Sequence, residues 1–508
     1  MRHLPLLALA FVALPCLAQD KPADLCIVNV TVVSPDQQAR GHGPQTATVC
    51  VADGRIVGVE PGRATRTAAV TMDGTGRFLI PGLIDSHVHL YHAPGLHRRY
   101  TSQYDTLKAA YATQLPRSFL YYGYTSIIEL NAVPSVNQRF EAAPVHPELY
   151  HCGQGLVLSN DFMATDYDGA AEFLADFPNF LHDRFTTPEL PPGYDPREHT
   201  PAATVARIAE QGGRCVKLYY EEALWWPGEE RPSFKLPSAE IVREVVGEAH
   251  RRGMTVVMHA TTPAGHRLAL DSGVDVLAHG LWEWPGSFRA GSTVPPEVAG
   301  LADSLAAGRV CIQPTAMTLR GTSTLFEPEL LQNATLRDVL SEAYVEYLRT
   351  DAQVQRDLFL QRFGPLISET PMNAEALAGE APRLLAHINQ RYEREIGRWS
   401  AHGACLLLGT DTAVGGFGWS QPPGLAGFFE MQAWARGGVP LAQILHAATL
   451  GNARAFHLEQ EIGSIEVGKR ANLLLLRDNP LRDVDAYRAI DVVILGGRVL
   501  DRESLRAP

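Results

Sequence analysis

His87-Val88-His89 lies just beyond the apolar pair Leu83-Ile84. Alternate side chains of a strand share a face, so both imidazoles point the same way and can share one divalent metal ion. An isolated HxH pair is a weak signal. Its weight comes from residues further along the chain: Lys217 in RCVKLYY, His259 ending TVVMH, His279 ending DVLAH and Asp411 ending LLLGTD. Each is an ionisable side chain at the C-terminal tip of an apolar strand, where parallel barrels carry their reacting groups. Imidazole and carboxylate donors suit zinc and similar divalent ions. A closed structural site explains the histidines but not the lysine. An ammonium among metal ions is electrostatically wrong, so Lys217 must be neutral, displaced or converted. Burial and nearby cations lower its pKa, and a neutral amine can take up carbon dioxide as a carbamate able to bridge two metals.

Positioning such tips requires a parallel sheet. From Pro81 to about residue 450, short apolar runs (YTSIIEL, RCVKLYY, TVVMHA, VDVLAHG, RVCIQP, CLLLGTD) alternate with amphipathic stretches such as SAEIVREVVGEAHRRGM. Strand followed by helix, repeated, marks parallel βα units. The predicted fold class is α/β: a (β/α)8 TIM-like barrel over residues 81–450. A small β-sandwich domain is built from both chain ends, residues 19–80 and 451–508. Two stretches exceed a minimal barrel, near 160–200 and 320–400, and insertions of that size in βα loops commonly cover a site. Residues 1–18 carry one positive charge at Arg2 and the apolar run LPLLALAFVAL, the pattern of a signal peptide with Ala18 at its cleavage position. The expected location is periplasmic or secreted.

The ordered set PGLIDSHVH, strand-end Lys, His, His and Asp, then AATLGNARAF and GSIEVGKRANLLLL, resembles the amidohydrolase superfamily of metal-dependent hydrolases, specifically its prolidase-like and imidazolonepropionase-like branch. The resemblance spans essentially the whole chain after the leader. It implies His87, His89 and Asp411 on one metal, His259 and His279 on a second, and carboxylated Lys217 between them, with Zn2+ expected, two per chain, and other divalent ions admissible. Mononuclear members lack the lysine bridge. Asn472 departs from the pattern, which carries Asp after GK-x-A; it lies in the β domain, away from the site. Beyond its place as a ligand, Asp411 either accepts the water proton and passes it to the leaving group, a general acid–base role typically worth ~10²–10⁴-fold in rate, or serves as metal ligand only. Tyr219, on the same strand face as Lys217, is a candidate substrate contact, with a packing role equally compatible. Trp282 and Trp284 lie just past His279 and would wall the pocket or merely cover the rim.

Forty-four Lys+Arg against 56 Asp+Glu give a net charge of −12 with no basic block, which excludes nucleic acid and anionic membrane surfaces as partners. A small-molecule substrate is the expected partner, and a homo-oligomer stays open. The six cysteines beyond Cys16 are too sparse for a disulfide scaffold. Cys26 and Cys50 lie in two adjacent β-like runs, where one bridge and two free thiols fit equally well. Cys215, Cys311 and Cys405 sit in apolar runs and read as small buried core residues. The leading functional expectation is an exported hydrolase cleaving the amide bond of a dipeptide or N-acyl amino acid. The alternatives are a mononuclear deaminase or cyclic-amide or lactone hydrolase, and a catalytically inactive binding scaffold.

Overall fold

The protein is represented by a computed structural model that describes residues 23–508, apart from 36–40, 42, 63–66, 168, 187–188, 191, 225, 227–233, 309, 328, 369 and 414–421. The expected leader lies outside the described residues. Among those described, no helix is long and apolar enough to cross a membrane.

Five strands come first: β1 (Ala23–Val32), β2 (Gln45–Ala52), β3 (Arg55–Pro61), β4 (Ala68–Asp73) and β5 (Phe78–Pro81). The chain then builds two parallel sheets. One holds β6 (Leu83–Val88), β7 (Tyr124–Glu129) and β8 (Glu148–His151); the other holds β9 (Cys215–Tyr219), β10 (Thr255–His259), β11 (Val276–Ala278) and β12 (Cys311–Gln313). Helices separate successive strands, among them Tyr104–Tyr121, Pro201–Glu210, Ala239–His250 and Pro263–Ser272. Every residue of β6, β7 and β9 is buried, as expected of parallel strands covered on both faces. β8 escapes sequence reading because ELYH is short, half-buried and lacks an apolar run.

The two sheets meet at two seams made of single bridges. At one seam Leu156 pairs with Leu218. At the other, the Cys405–Thr412 segment runs between β12 and β6, pairing Leu406 with Ile312 and Thr412 with Val88. The predicted strand CLLLGTD is thus an extended segment held by isolated bridges, not a full ladder. Buried side chains reinforce this seam. Asn452 donates to the carbonyls of Ile84 and Leu408, each at 2.8 Å, and Thr410 donates to Asp85 through its hydroxyl at 2.7 Å.

Disulfides correct the reading of the cysteines. Cys152–Cys215 crosses the first seam and Cys311–Cys405 the second, while Cys26–Cys50 joins β1 to β2. Cys215, Cys311 and Cys405 are therefore not free core thiols. Their partners lie 63 and 94 residues away in sequence, but on neighbouring segments whose Cα atoms are 4.2 and 4.5 Å apart. That proximity exists only once the segments pair.

The C-terminal strands β13 (Leu473–Leu476), β14 (Ile490–Leu495) and β15 (Arg498–Leu500) join the first five in one sheet, ordered β15-β14-β13-β5-β1-β2-β3 with β4 beside β1. The expectation was a sandwich of two sheets. The strands instead form one hydrogen-bonded sheet that curls until its far side meets the entry to β13, where Ile56 N donates to Lys469 O and Ala471 N to Gly54 O, each at 2.9 Å. Leu25, Ile27, Val49, Ile56, Leu473 and Ile494 fill the enclosed core. Asn472 has a reason to differ from Asp: its amide donates to Glu148 Oε1 at 3.1 Å while its carbonyl accepts from Gly496 N at 2.8 Å. A carboxylate there would face another carboxylate.

The described parts of both long insertions pack against the sheets. Phe173, Leu174, Phe177 and Phe180 of the first pack with Val157 and Tyr219. The second contributes the 28-residue helix Ala374–Ala401. It packs so closely at Gly280 that a Cβ there would lie 2.2 Å from Tyr392 Oη and 2.4 Å from Trp399.

Candidate metal centre

His87 lies in β6 and His89 just beyond its end, and alternation along the strand turns both toward Asp411. Nε2 of each imidazole is 3.1 Å from the same carboxylate oxygen, Asp411 Oδ1. One ligand atom from each of the three lies within 4.8 Å of the other two. Backbone pairing fixes this geometry, because Asp411 N donates to His87 O at 2.8 Å and Ser86 N to Leu408 O at 3.0 Å. Gly409 permits the approach: a Cβ there would sit 2.8 Å from His87 Cβ.

His259 ends β10 and His279 comes immediately after β11. Their ring centroids are 4.6 Å apart, and His279 is 5.2 Å from His87. Lys217 sits in the middle of β9, not at its end, and is 1% exposed. Its neighbours Val216 and Leu218 are buried in the opposite layer, as predicted for an inward lysine. His279 and Asp411 both have positive φ, 82° and 59°. Such conformations cost non-glycine residues about 1–3 kcal/mol each and persist only where surrounding structure imposes them.

Three residues that sequence reading missed hold the imidazoles by their second nitrogens. Glu129 Oε1 is 3.4 Å from His89 Nδ1, Glu221 Oε2 is 2.9 Å from His259 Nε2, and Thr315 Oγ1 is 2.7 Å from His279 Nδ1. Partners of this kind set ring orientation and leave the other nitrogen for a metal. Glu129 was detectable, since it ends the apolar run YTSIIE as the other tips end theirs. Glu221 and Thr315 lie in loops and carry no local signal.

The electrostatics match a cation site. Burial, reinforced by Lys217, lowers His87 and His259 to about 3; burial and His259 hold His279 well below its ordinary value. These three rings are neutral at physiological pH and have lone pairs to offer. Burial works against a charge on His89, but its bonds to Asp411 and Glu129 outweigh that and push it up to about 9. Burial alone would raise Asp411; the imidazoles of His87, His89 and His279 overcome it and hold the carboxyl well below the usual range. Burial lowers Lys217 to about 7, against the pull of Asp411 and Glu129. The donor set fits a divalent cation on a second count: Nε2 of His87 is buried against the Asp411 carboxylate and its Nδ1 is buried without a hydrogen-bond partner, a costly arrangement unless something else satisfies the ring.

The two candidate substrate contacts fare differently. Tyr219 is 7% exposed and packs into the apolar cluster of the first insertion, with its ring 5.5 Å from Lys217 Nζ. Its packing role is the one the structure displays. Trp282 lies against His279, centroids 4.9 Å apart, and is backed by Tyr392 from the second insertion at 5.8 Å. Trp284 is buried beside Arg391, whose guanidinium carbon is 5.4 Å from its ring. Sequence reading also missed Phe162 of the first insertion, which stacks on His259 at 5.5 Å and 19°.

Residues 350–501 match the pattern of a family described as the amidohydrolase family. Among curated relatives, the chain is 43% identical over 74 residues to a 5-methylthioadenosine/S-adenosylhomocysteine deaminase of Moorella thermoacetica, covering 12% of this chain and 17% of the relative. It is 34% identical over 119 residues to a dihydroorotase of Mycobacterium tuberculosis, covering 23% and 24%. The chain thus spans well under half of these relatives. Among solved structures, a Xaa-Pro dipeptidase with bound methionine superposes with a TM-score of 0.61 at 17% identity, covering 94% of this chain and 99% of the other. That likeness shows a shared α/β fold.

Proposed function

We propose that the chain belongs to the amidohydrolase superfamily and that it is an exported, metal-dependent hydrolase of a small C–N substrate, a dipeptide or N-acyl amino acid. The observation that carries the proposal is the His87, His89 and Asp411 group, its ligand atoms within 4.8 Å of one another, with His279 5.2 Å from His87 and 4.6 Å from His259 and the buried Lys217 amine in their electrostatic reach. The bridges at both seams support a complete (β/α)8 barrel whose strand ends carry that group. The terminal sheet supports a separate β domain.

In this proposal His87, His89 and Asp411 would hold one Zn2+, His259 and His279 would hold a second, and a carboxylated Lys217 would be a ligand shared by both. Bound divalent ions supply Lewis acidity, polarising a carbonyl and bringing the pKa of water toward neutrality. The chain's own groups do the rest. Asp411, ionised at neutral pH, takes the proton of the attacking water and delivers it to the departing nitrogen. Thr318 Oγ1 donates to Asp411 Oδ2 at 3.3 Å and keeps the other oxygen turned to the imidazoles. Glu129, Glu221 and Thr315 keep the rings from turning. A neutral Lys217 amine attacks carbon dioxide, forming an N–C bond and releasing one proton. Trp282 and Phe162 cover His279 and His259 and limit water there. The three disulfides support export, since such bonds persist in oxidising compartments.

A mononuclear deaminase or cyclic-amide hydrolase is the second reading. Two observations favour it: the curated relatives include deaminases and dihydroorotases, and only His87, His89 and Asp411 form a tight ligand group among the described residues. Metal analysis separates the two, with two ions per chain expected for the first and one for the second. The decisive experiment screens the zinc-loaded protein against dipeptide and N-acyl amino acid libraries, with Lys217→Ala as control. Cleavage of lactones but no C–N bond would overturn the substrate class, and full activity in Lys217→Ala would overturn the carbamate.

A further inference from the structure

Thr315 stands at the N-cap of the helix Ala316–Ser323 with φ 50° and ψ 46°. A threonine there ordinarily turns its hydroxyl back to accept a backbone N–H of the first turn. Here it makes no such bond, because Oγ1 is 2.7 Å from Nδ1 of His279. The exposed N–H groups of the helix are satisfied from elsewhere. Ala316 N and Met317 N donate to the two carboxylate oxygens of Glu430, each at 2.9 Å. Glu430 comes from the helix Leu425–Gly437, is 0% exposed, and accepts from Trp434 Nε1 at 2.7 Å. A buried carboxyl that accepts two backbone N–H bonds satisfies the free donors of a helix N-terminus, and these bonds work against the burial that pushes Glu430 up to about 7. The carboxyl holds a β-branched residue in the left-handed region, where it would not stay unaided.

We propose that Glu430 is a positioning residue for the metal centre: by capping the helix Ala316–Ser323 from a neighbouring helix, it frees the Thr315 hydroxyl to fix the ring of His279. The inference rests on the proposed function, in which His279 is a metal ligand. It assigns work to a residue that touches no candidate ligand and lies over 100 residues from Thr315 in sequence, Glu430 being 114 positions beyond Ala316.

The test is a double-mutant cycle in zinc affinity, read by chelator competition on folded protein and needing no substrate. The forms are wild type, Glu430→Gln, Thr315→Val and the double variant. Glutamine keeps the shape but turns an amide N–H2 toward a backbone N–H. The expected result is a loss of about 10–100-fold in affinity for each single variant, the range for groups that orient a metal ligand. The double variant should be no weaker than Thr315→Val alone, because both changes remove one interaction. Thr315→Ser, which keeps the hydroxyl, should restore wild-type affinity. If Glu430→Gln does not fold, Trp434→Phe, which removes the indole donor that orients the Glu430 carboxylate, enters the cycle in its place. Losses that multiply, or wild-type affinity in a Glu430→Gln protein whose melting temperature has fallen, would show a purely structural role and overturn the proposal. A wild-type protein that retains no metal would overturn the site reading itself, and this inference with it.

Discussion

Lys217 pays for its position, and that cost is measurable. Burial lowers its amine to about 7, whereas a lysine in an unfolded chain titrates near ~10.4. Between those values the unfolded chain binds the extra proton, so stability rises with pH across that window and is flat below its lower edge. Lys217→Met removes the penalty. The metal-free variant should be more stable than wild type by about 1–3 kcal/mol at neutral pH, the gain shrinking toward zero near pH ~10, while turnover is lost. Urea titrations of both metal-free proteins across that range check it; a variant less stable at neutral pH would refute the assignment. Asp411→Asn addresses the acid–base role and should lower kcat by about 10²–10⁴-fold. Because Asp411 also helps raise His89 to about 9, the same substitution should lower the titration midpoint of that imidazole in the metal-free protein, as followed by NMR.

At the level of elements, the seams between the two parallel sheets are where pairing is thinnest and where two disulfides lie. Removing one of them, as Cys152→Ala with Cys215→Ala, should cost about 2–5 kcal/mol in a denaturant titration, with a loss that a reducing agent reproduces in the wild type and not further in a variant lacking all three bridges. The terminal sheet offers a different test. Asn472→Asp sets a carboxylate against Glu148, 3.1 Å from the present amide. Arg470, also 3.0 Å from Glu148, offsets part of the repulsion. The new carboxyl should have a raised folded-state pKa, so its contribution to stability falls as pH rises through the acidic range. A loss of about 1 kcal/mol is expected at neutral pH and less near pH ~4. Neither the seams nor this contact is local in sequence, and both explain residues that composition leaves ambiguous.

For the whole molecule, the proposed metal would link binding to folding, since its ligands come from both parallel sheets. A cation that binds only the folded chain adds about 4 kcal/mol when present at a thousandfold excess over its dissociation constant. Chelation should therefore lower the melting temperature as well as abolish turnover, and added zinc should restore both. Unchanged melting on chelation would count against a site that spans β6, β10, β11 and the Cys405–Thr412 segment. The sequence by itself determined the donor types and their order along the chain: the HxH pair, the inward lysine and the later His, His and Asp were legible because strand periodicity turns residue spacing into a shared face. It also determined the alternation of strand and helix and the return of the C-terminal strands. Only the tertiary structure decided that Cys152 meets Cys215 and Cys311 meets Cys405, that the terminal strands form one curled sheet, and that Glu129, Glu221, Thr315 and Glu430 stand behind the histidines. The reason is physical. Periodicity reports which way a side chain points within its own element, whereas a disulfide partner or a supporting carboxylate is chosen by which elements lie side by side, and that depends on the packing of the whole chain.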